Sequence, residues 1–109
     1  MSGLEGKECK PCKGSVSPIG REEAQKLLRQ IDGSWSLIDN HHIERSWSFE
    51  NFEKALEFVN YAGAICEKEG HHADFELGWG RAKAVIWTHK IDGLTESDFI
   101  LAAKLDLLD

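Results

Sequence analysis

The stretch FELGWGRAKAVIWTH, residues 75–89, decides the fold. Two extended runs, 75–79 and 81–89, flank a turn near Gly78-Trp79-Gly80, which is a hairpin signature. In the second run Lys83, Val85, Trp87 and His89 share one side, because side chains alternate along a strand. Ala82, Ala84, Ile86 and Thr88 share the other. A turn centred on Gly80 makes the numbers of facing residues sum to about 160, a register in which a one-residue slip exchanges the two faces. In that register His71 stands opposite His89, and His72 opposite Thr88.

Before this hairpin, residues 52–68 read as a helix capped by Asn51. Its apolar stripe is Phe52, Ala55, Leu56, Val59, Ala62, Gly63 and Cys66. Gly70 is the expected left-handed stop, and Glu67 lies in the last turn, four residues before His71. Residues 34–49 form an earlier hairpin. Trp35 and Leu37 are in its first strand, the turn is near Asp39-Asn40, and Ile43, Arg45, Trp47 and Phe49 alternate in its second. Residues 20–31 are a helix with Ala24, Leu27, Leu28 and Ile31 at i, i+3, i+4, i+7. Past the second hairpin, Thr95 caps a third helix, and Asp98 at its third position completes a carboxylate capping box.

The order α-ββ-α-ββ-α predicts a two-layer α+β domain over residues 17–109. It has a four-stranded antiparallel sheet with the helices on one face. Residues 1–16 are polar and aperiodic and read as a flexible N-terminal arm. The arm holds Cys9-Lys10-Pro11-Cys12. A CxxC serves as half a zinc site or as a redox pair, but a second CxxC is absent, so two free thiols are the simpler expectation.

The totals narrow the function classes. The 109 residues carry a formal charge of −6, and no basic stripe exists to neutralise phosphates, so direct nucleic-acid binding is not expected. No apolar run is long enough to span a membrane, and no signal-type apolar segment stands at the N-terminus. Three cysteines make a disulfide framework a poor expectation, and a cytoplasmic location is the default.

The chemistry concentrates in Glu67-Lys68-Glu69-Gly70-His71-His72, His89 and Asp98. Imidazoles near their ordinary pKa of about 6.5 exchange protons at neutral pH. His41 and His42 fall at the first hairpin's turn and read as solvated turn residues. Singly, each of these residues has a plain reading: a post-helix loop, a strand end, a cap. It is the convergence of three imidazoles and two carboxylates at one end of the sheet that points to a site.

From Trp35 to the end, the chain resembles the pterin-4a-carbinolamine dehydratases. The pattern runs Glu67, His71-His72, Trp79, Thr88-His89, Gly93-Leu94, Asp98, with Trp35 after the first helix and Phe49-Glu50-Asn51-Phe52 opening the second. Bacterial-type members also often bear a CxxC arm. The resemblance implies a hydro-lyase that removes water from 4a-hydroxytetrahydropterin to give quinonoid dihydropterin, without metal or other cofactor. It implies His71 and His89 as the acid/base pair, His72 as the residue orienting the ring, and Asp98 as a partner that orients a histidine. Glu67, Gly70, Trp35, Trp87, Thr88 and Lys90 are the expected substrate contacts. Further implications are a homodimer or homotetramer and an aromatic amino acid hydroxylase system as a partner. The chain departs from the pattern at Ala73, where Pro is usual, at Ser97, where Arg is common, and at Trp87, where smaller residues also occur. Two other readings use the same residues: a His-rich metal-dependent lyase or hydrolase, and a non-catalytic dimerisation module.

Overall fold

The computed structural model describes residues 3–10 and 17–108. Three helices and four strands follow in the expected order: α1 (Arg21–Leu28), β1 (Ser36–Ile38), β2 (His42–Ser48), α2 (Phe52–Glu69), β3 (Asp74–Gly78), β4 (Arg81–Ile86) and α3 (Glu96–Asp106). Short 3-10 turns occupy Leu4–Gly6 and His89–Ile91. The sheet is antiparallel in the order β1-β2-β4-β3, so the two hairpins join through β2 and β4.

Alternation along the strands separates the two faces. Ile43, Arg45 and Trp47 of β2 and Ala82, Ala84 and Ile86 of β4 are buried beneath the helices. The opposite face is polar, with Lys83 placed between Glu44 (3.4 Å) and Glu76 (3.8 Å). The small alanines of β4 let α2 approach the sheet.

Helix α2 begins where Asn51 Oδ1 accepts the Lys54 N–H at 2.9 Å, and it ends at Gly70, whose φ is 67°. Its buried face is rotated from the expected stripe. Ala55, Phe58, Ala62 and Cys66 are inside, whereas Phe52 and Leu56 are exposed. The aromatic anchors of the first hairpin cause the rotation. Phe58 packs 4.5 Å from the Trp47 ring and 5.3 Å from Phe49, and burying that large ring outweighs burying Leu56.

The second hairpin is tighter than expected. Gly78 pairs with Arg81 and Asp74 with Val85, so facing numbers sum to 159 rather than 160. The turn is the two-residue Trp79-Gly80, with Gly80 at φ 69°. A Cβ on Gly80 would lie 2.9 Å from the Phe49 carbonyl oxygen, and the Gly80 carbonyl accepts the Phe49 N–H at 2.8 Å. Glycine therefore sets the register and docks this turn on the first hairpin.

Helix α3 is central. Every residue from Ser97 to Ala103 is buried, and so is Leu105. Residues 3–10 cover the side that a two-layer domain would leave wet. Leu4 is 2% exposed within the core, so this part of the arm is packed rather than loose. The remainder of the expected arm, with Cys12, lies outside the described residues.

Candidate active site

The first turn of α3 supplies the centre. Asp98 is fully buried there, and its Oδ2 accepts both the Thr95 N–H and the Thr88 O–H at 2.8 Å. Its other oxygen, Oδ1, lies 2.5 Å from His71 Nε2. The capping carboxylate thus has a second use. With both donors on Oδ2, Oδ1 accepts from the imidazole, which puts a proton on Nε2 and leaves Nδ1 of a neutral His71 as an acceptor.

His71 reaches Asp98 because the left-handed Gly70 turns the chain sharply off α2. Adjacent side chains on an extended chain point apart, and His72 turns outward. His72 Nε2 lies 2.5 Å from Glu67 Oε2, and both side chains are more than half exposed. His89 opens the 3-10 turn after β4. Its ring is 4.2 Å from Trp87, and its Nε2 is 3.8 Å from Asp74 Oδ2. The three imidazoles therefore have three separate carboxylates. Among the described residues no three His, Cys, Asp or Glu side chains converge on a metal-sized site.

These groups line a cleft of about 310 Å³, with Gly70, His71, His72, Trp87, Thr88, His89, Lys90 and Lys10 in its walls. A larger cleft of about 660 Å³ lies between α1 and β1, at Arg21, Gln25, Leu37 and Asn40, and has no imidazole in its walls. Volume favours the larger cleft, but acid–base chemistry favours the smaller one.

Residues 17–108 match the family described as Pterin 4 alpha carbinolamine dehydratase. The chain is 55% identical over 108 residues to a Rubrobacter xylanophilus protein named "Putative pterin-4-alpha-carbinolamine dehydratase". That alignment covers 99% of this chain and 100% of the relative. A protein of the same name from Alkaliphilus metalliredigens is 45% identical, with 97% and 96% covered. The crystal structure of a transcriptional coactivator/pterin dehydratase from Brucella melitensis superposes with a TM-score of 0.78 at 29% identity. It covers 84% of this chain and 98% of its own. The chain belongs to the pterin 4 alpha carbinolamine dehydratase family.

Several residues expected at the site stand elsewhere than the sequence placed them. Trp35 does not wall the cleft. It is 4% exposed, and its indole N–H donates to Asp106 Oδ1 at 2.8 Å. Asp106 ends the helix that Asp98 begins, and eight residues at 1.5 Å each separate them by about 12 Å. Glu67 engages His72, not His71. His89 does not face His71 across a strand pair, because β4 ends at Ile86 and Thr88 instead bridges to Gly93.

Other residues near the cleft were missed. His41 and His42 are partly buried, not solvated, and their rings lie 5.5 Å and 6.0 Å from Trp87. His41 Nε2 is 2.6 Å from Asp92 Oδ1. Pairing of β2 with β4 brings them there, since Ile43 sits opposite Ile86. Each hairpin is legible alone, but their mutual order is not. Lys10 was missed because it lies in the segment read as a loose arm.

Proposed function

We propose that this chain dehydrates 4a-hydroxytetrahydropterin to quinonoid dihydropterin by histidine acid/base catalysis, as a hydro-lyase of the family it belongs to. The observation that carries the mechanism is the bond between His71 Nε2 and the buried Asp98 carboxylate. A tethered imidazole has one tautomer and one orientation, and its remaining nitrogen is free for substrate.

The elimination breaks the C4a–O bond and removes the proton on the neighbouring ring nitrogen, forming a C=N bond and water. Hydroxide leaves poorly, so an acid protonates it as the bond breaks, while a base takes the nitrogen proton. No electrons are exchanged with a partner. His71 accepts through Nδ1, and protonated His89 is the acid. His72, held by Glu67, orients the ring at the mouth. Trp87 offers a flat apolar surface, Gly70 and Thr88 shape the floor, and Lys90 lies at the rim.

The exposed Phe52, Leu56 and Tyr61 on α2 support a further reading, that the chain assembles into homodimers or homotetramers. Light scattering of the purified chain gives the mass that tests it. An aromatic amino acid hydroxylase system is the proposed source of the carbinolamine. No described helix is long and apolar enough to cross a membrane, and we place the reaction in the cytoplasm.

The direct test uses synthetic carbinolamine and follows quinonoid dihydropterin by absorbance. The wild type is expected to exceed the spontaneous rate, and His71→Ala and His89→Ala each to lose at least about a hundredfold in kcat. A wild type at background rate points to a non-catalytic module and overturns the proposal. Full activity of either variant overturns its assigned role.

A further inference from the structure

The arm places a cation in the wall of the cleft. Lys10 lines the same space as His71, His72 and His89, although it is more than sixty residues away from them in sequence. Its backbone is fixed at two points. The Lys10 N–H donates to Ser97 Oγ at 2.9 Å, and Ser97 Oγ lies 3.4 Å from the Lys10 carbonyl oxygen. One residue earlier, the Cys9 N–H donates to Glu69 Oε1 at 3.0 Å, and Cys9 Sγ is 3.5 Å from the Ser97 carbonyl. Glu69 is held in turn by Lys104 at 3.7 Å, and Lys104 also donates to the Glu5 carbonyl at 2.9 Å. Both anchors belong to the catalytic frame: Glu69 precedes Gly70 and His71, and Ser97 precedes Asp98.

Among the described residues, no carboxylate pairs with the Lys10 ammonium. The nearby acids are engaged elsewhere: Glu69 with Lys104, Glu96 with Lys7, Glu67 with His72 and Asp98 with His71. An ammonium has three donors and no acceptor, so in the cleft it seeks acceptor oxygens or nitrogens on a ligand. A pterin ring in its lactam form carries a carbonyl oxygen that accepts, beside a ring N–H and an amino group that donate. The other cations of this rim do not have a backbone anchored on the two segments that hold His71 and Asp98.

We infer that Lys10 is a substrate-binding residue. Its ammonium donates to the lactam oxygen of the bound ring, and Ser97 is the positioning residue that holds the arm in place. The inference rests on the dehydratase reading of this cleft, and it assigns to the N-terminal arm a part in ring recognition.

Full-length Lys10→Met, Lys10→Arg and Ser97→Ala are compared with wild type in the carbinolamine assay. Binding of 7,8-dihydropterin is followed in parallel by tryptophan fluorescence, which Trp87 in the cleft wall reports. Loss of a charge-assisted hydrogen bond at a wet rim should raise KM about tenfold in Lys10→Met and leave kcat within about twofold. Dihydropterin affinity should weaken by a similar factor. Lys10→Arg should restore both to within about threefold, because it keeps the charge. Ser97→Ala should raise KM by a smaller factor at unchanged kcat. An unchanged KM and affinity in Lys10→Met, or a fall in kcat alone, overturns the inference. An unchanged KM in Ser97→Ala overturns the part given to Ser97. A wild type without dehydratase rate that still binds dihydropterin through Lys10 would sink the catalytic reading and keep the binding one. A wild type that neither turns over nor binds sinks both.

Discussion

Replacing Asp98 by Asn separates the carboxylate's structural work from its proton-directing work. The two obligate contacts of the cap converge on one oxygen: the Thr95 N–H and the Thr88 O–H both reach Oδ2. An asparagine satisfies both by placing its amide oxygen there. Its NH2 then occupies the place of Oδ1, facing His71 Nε2. A donor now meets that nitrogen, so neutral His71 must carry its proton on Nδ1 and has no lone pair to offer substrate. The fold keeps its cap but loses one charge-assisted bond, a cost of about 1–2 kcal/mol. For a domain of this size that lowers Tm by roughly 5–15 °C. Turnover should fall far more, by about a hundredfold, the low end of general acid–base contributions. The assay is quinonoid dihydropterin formation at a temperature where circular dichroism shows Asp98→Asn folded, repeated across pH. A folded variant within threefold of wild-type kcat would show that His71 does not act through the tautomer assigned to it.

Three further outcomes follow from the same geometry. Asp106 carries the Trp35 N–H and a 2.6 Å contact from the buried Arg45 guanidinium. Burial pushes its carboxyl up, and bonds from Trp35, the Asp32 N–H and Arg45 oppose that rise. Asp106→Ala should cost about 2–4 kcal/mol by thermal melting, because it strips a buried cation of a partner, while kcat per folded molecule stays unchanged. Glu69 is held below its ordinary range chiefly by the Cys9 N–H, and also by Lys104. A depressed carboxylate contributes stability that is present above its unfolded value near 4.5 and is lost as pH falls through the folded value. The acid-side loss of Tm between pH 5 and 3 should therefore be smaller in Glu69→Gln than in wild type; an equal loss would remove Glu69 from the clamp. The Cys9 thiol is pushed up to about 12 by burial and by the Glu69 carboxylate, against an ordinary 9.0. At pH 8 its thiolate fraction falls about a thousandfold, so peptide mapping after iodoacetamide should show Cys9 unmodified until the arm is released by denaturant.

What the sequence determined by itself was local. Alternation in residues 81–88 sorted the side chains of the second hairpin's return strand onto two faces, and Asn51, Gly70 and the Thr95–Asp98 box marked the helix ends. These features depend on backbone hydrogen bonds and side-chain periods that span only a few residues. The spacing from Glu67 through His71-His72 to Thr88-His89 and Asp98 also carried the family resemblance, and the match over residues 17–108 bears it out. Ser97 and Ala73, two of the departures from the family pattern, gain their places only in three dimensions: Ser97 binds the arm, and Ala73 packs against the core.

Tertiary structure decided the pairings between distant segments. A two-residue turn instead of a three-residue one shifted the hairpin sum to 159, and packing of Phe58 on Trp47 rotated α2. The β2–β4 pairing brought His41 and His42 to Trp87, and the length of α3 carried Trp35 away from Asp98. Leu4 drew the arm into the core and set Lys10 beside the histidines. Each of these outcomes depends on which apolar surfaces find each other across the whole chain, and burial is proportional to area without direction or period. A linear reading sees the residues that are buried, but only the folded chain shows what each is buried against.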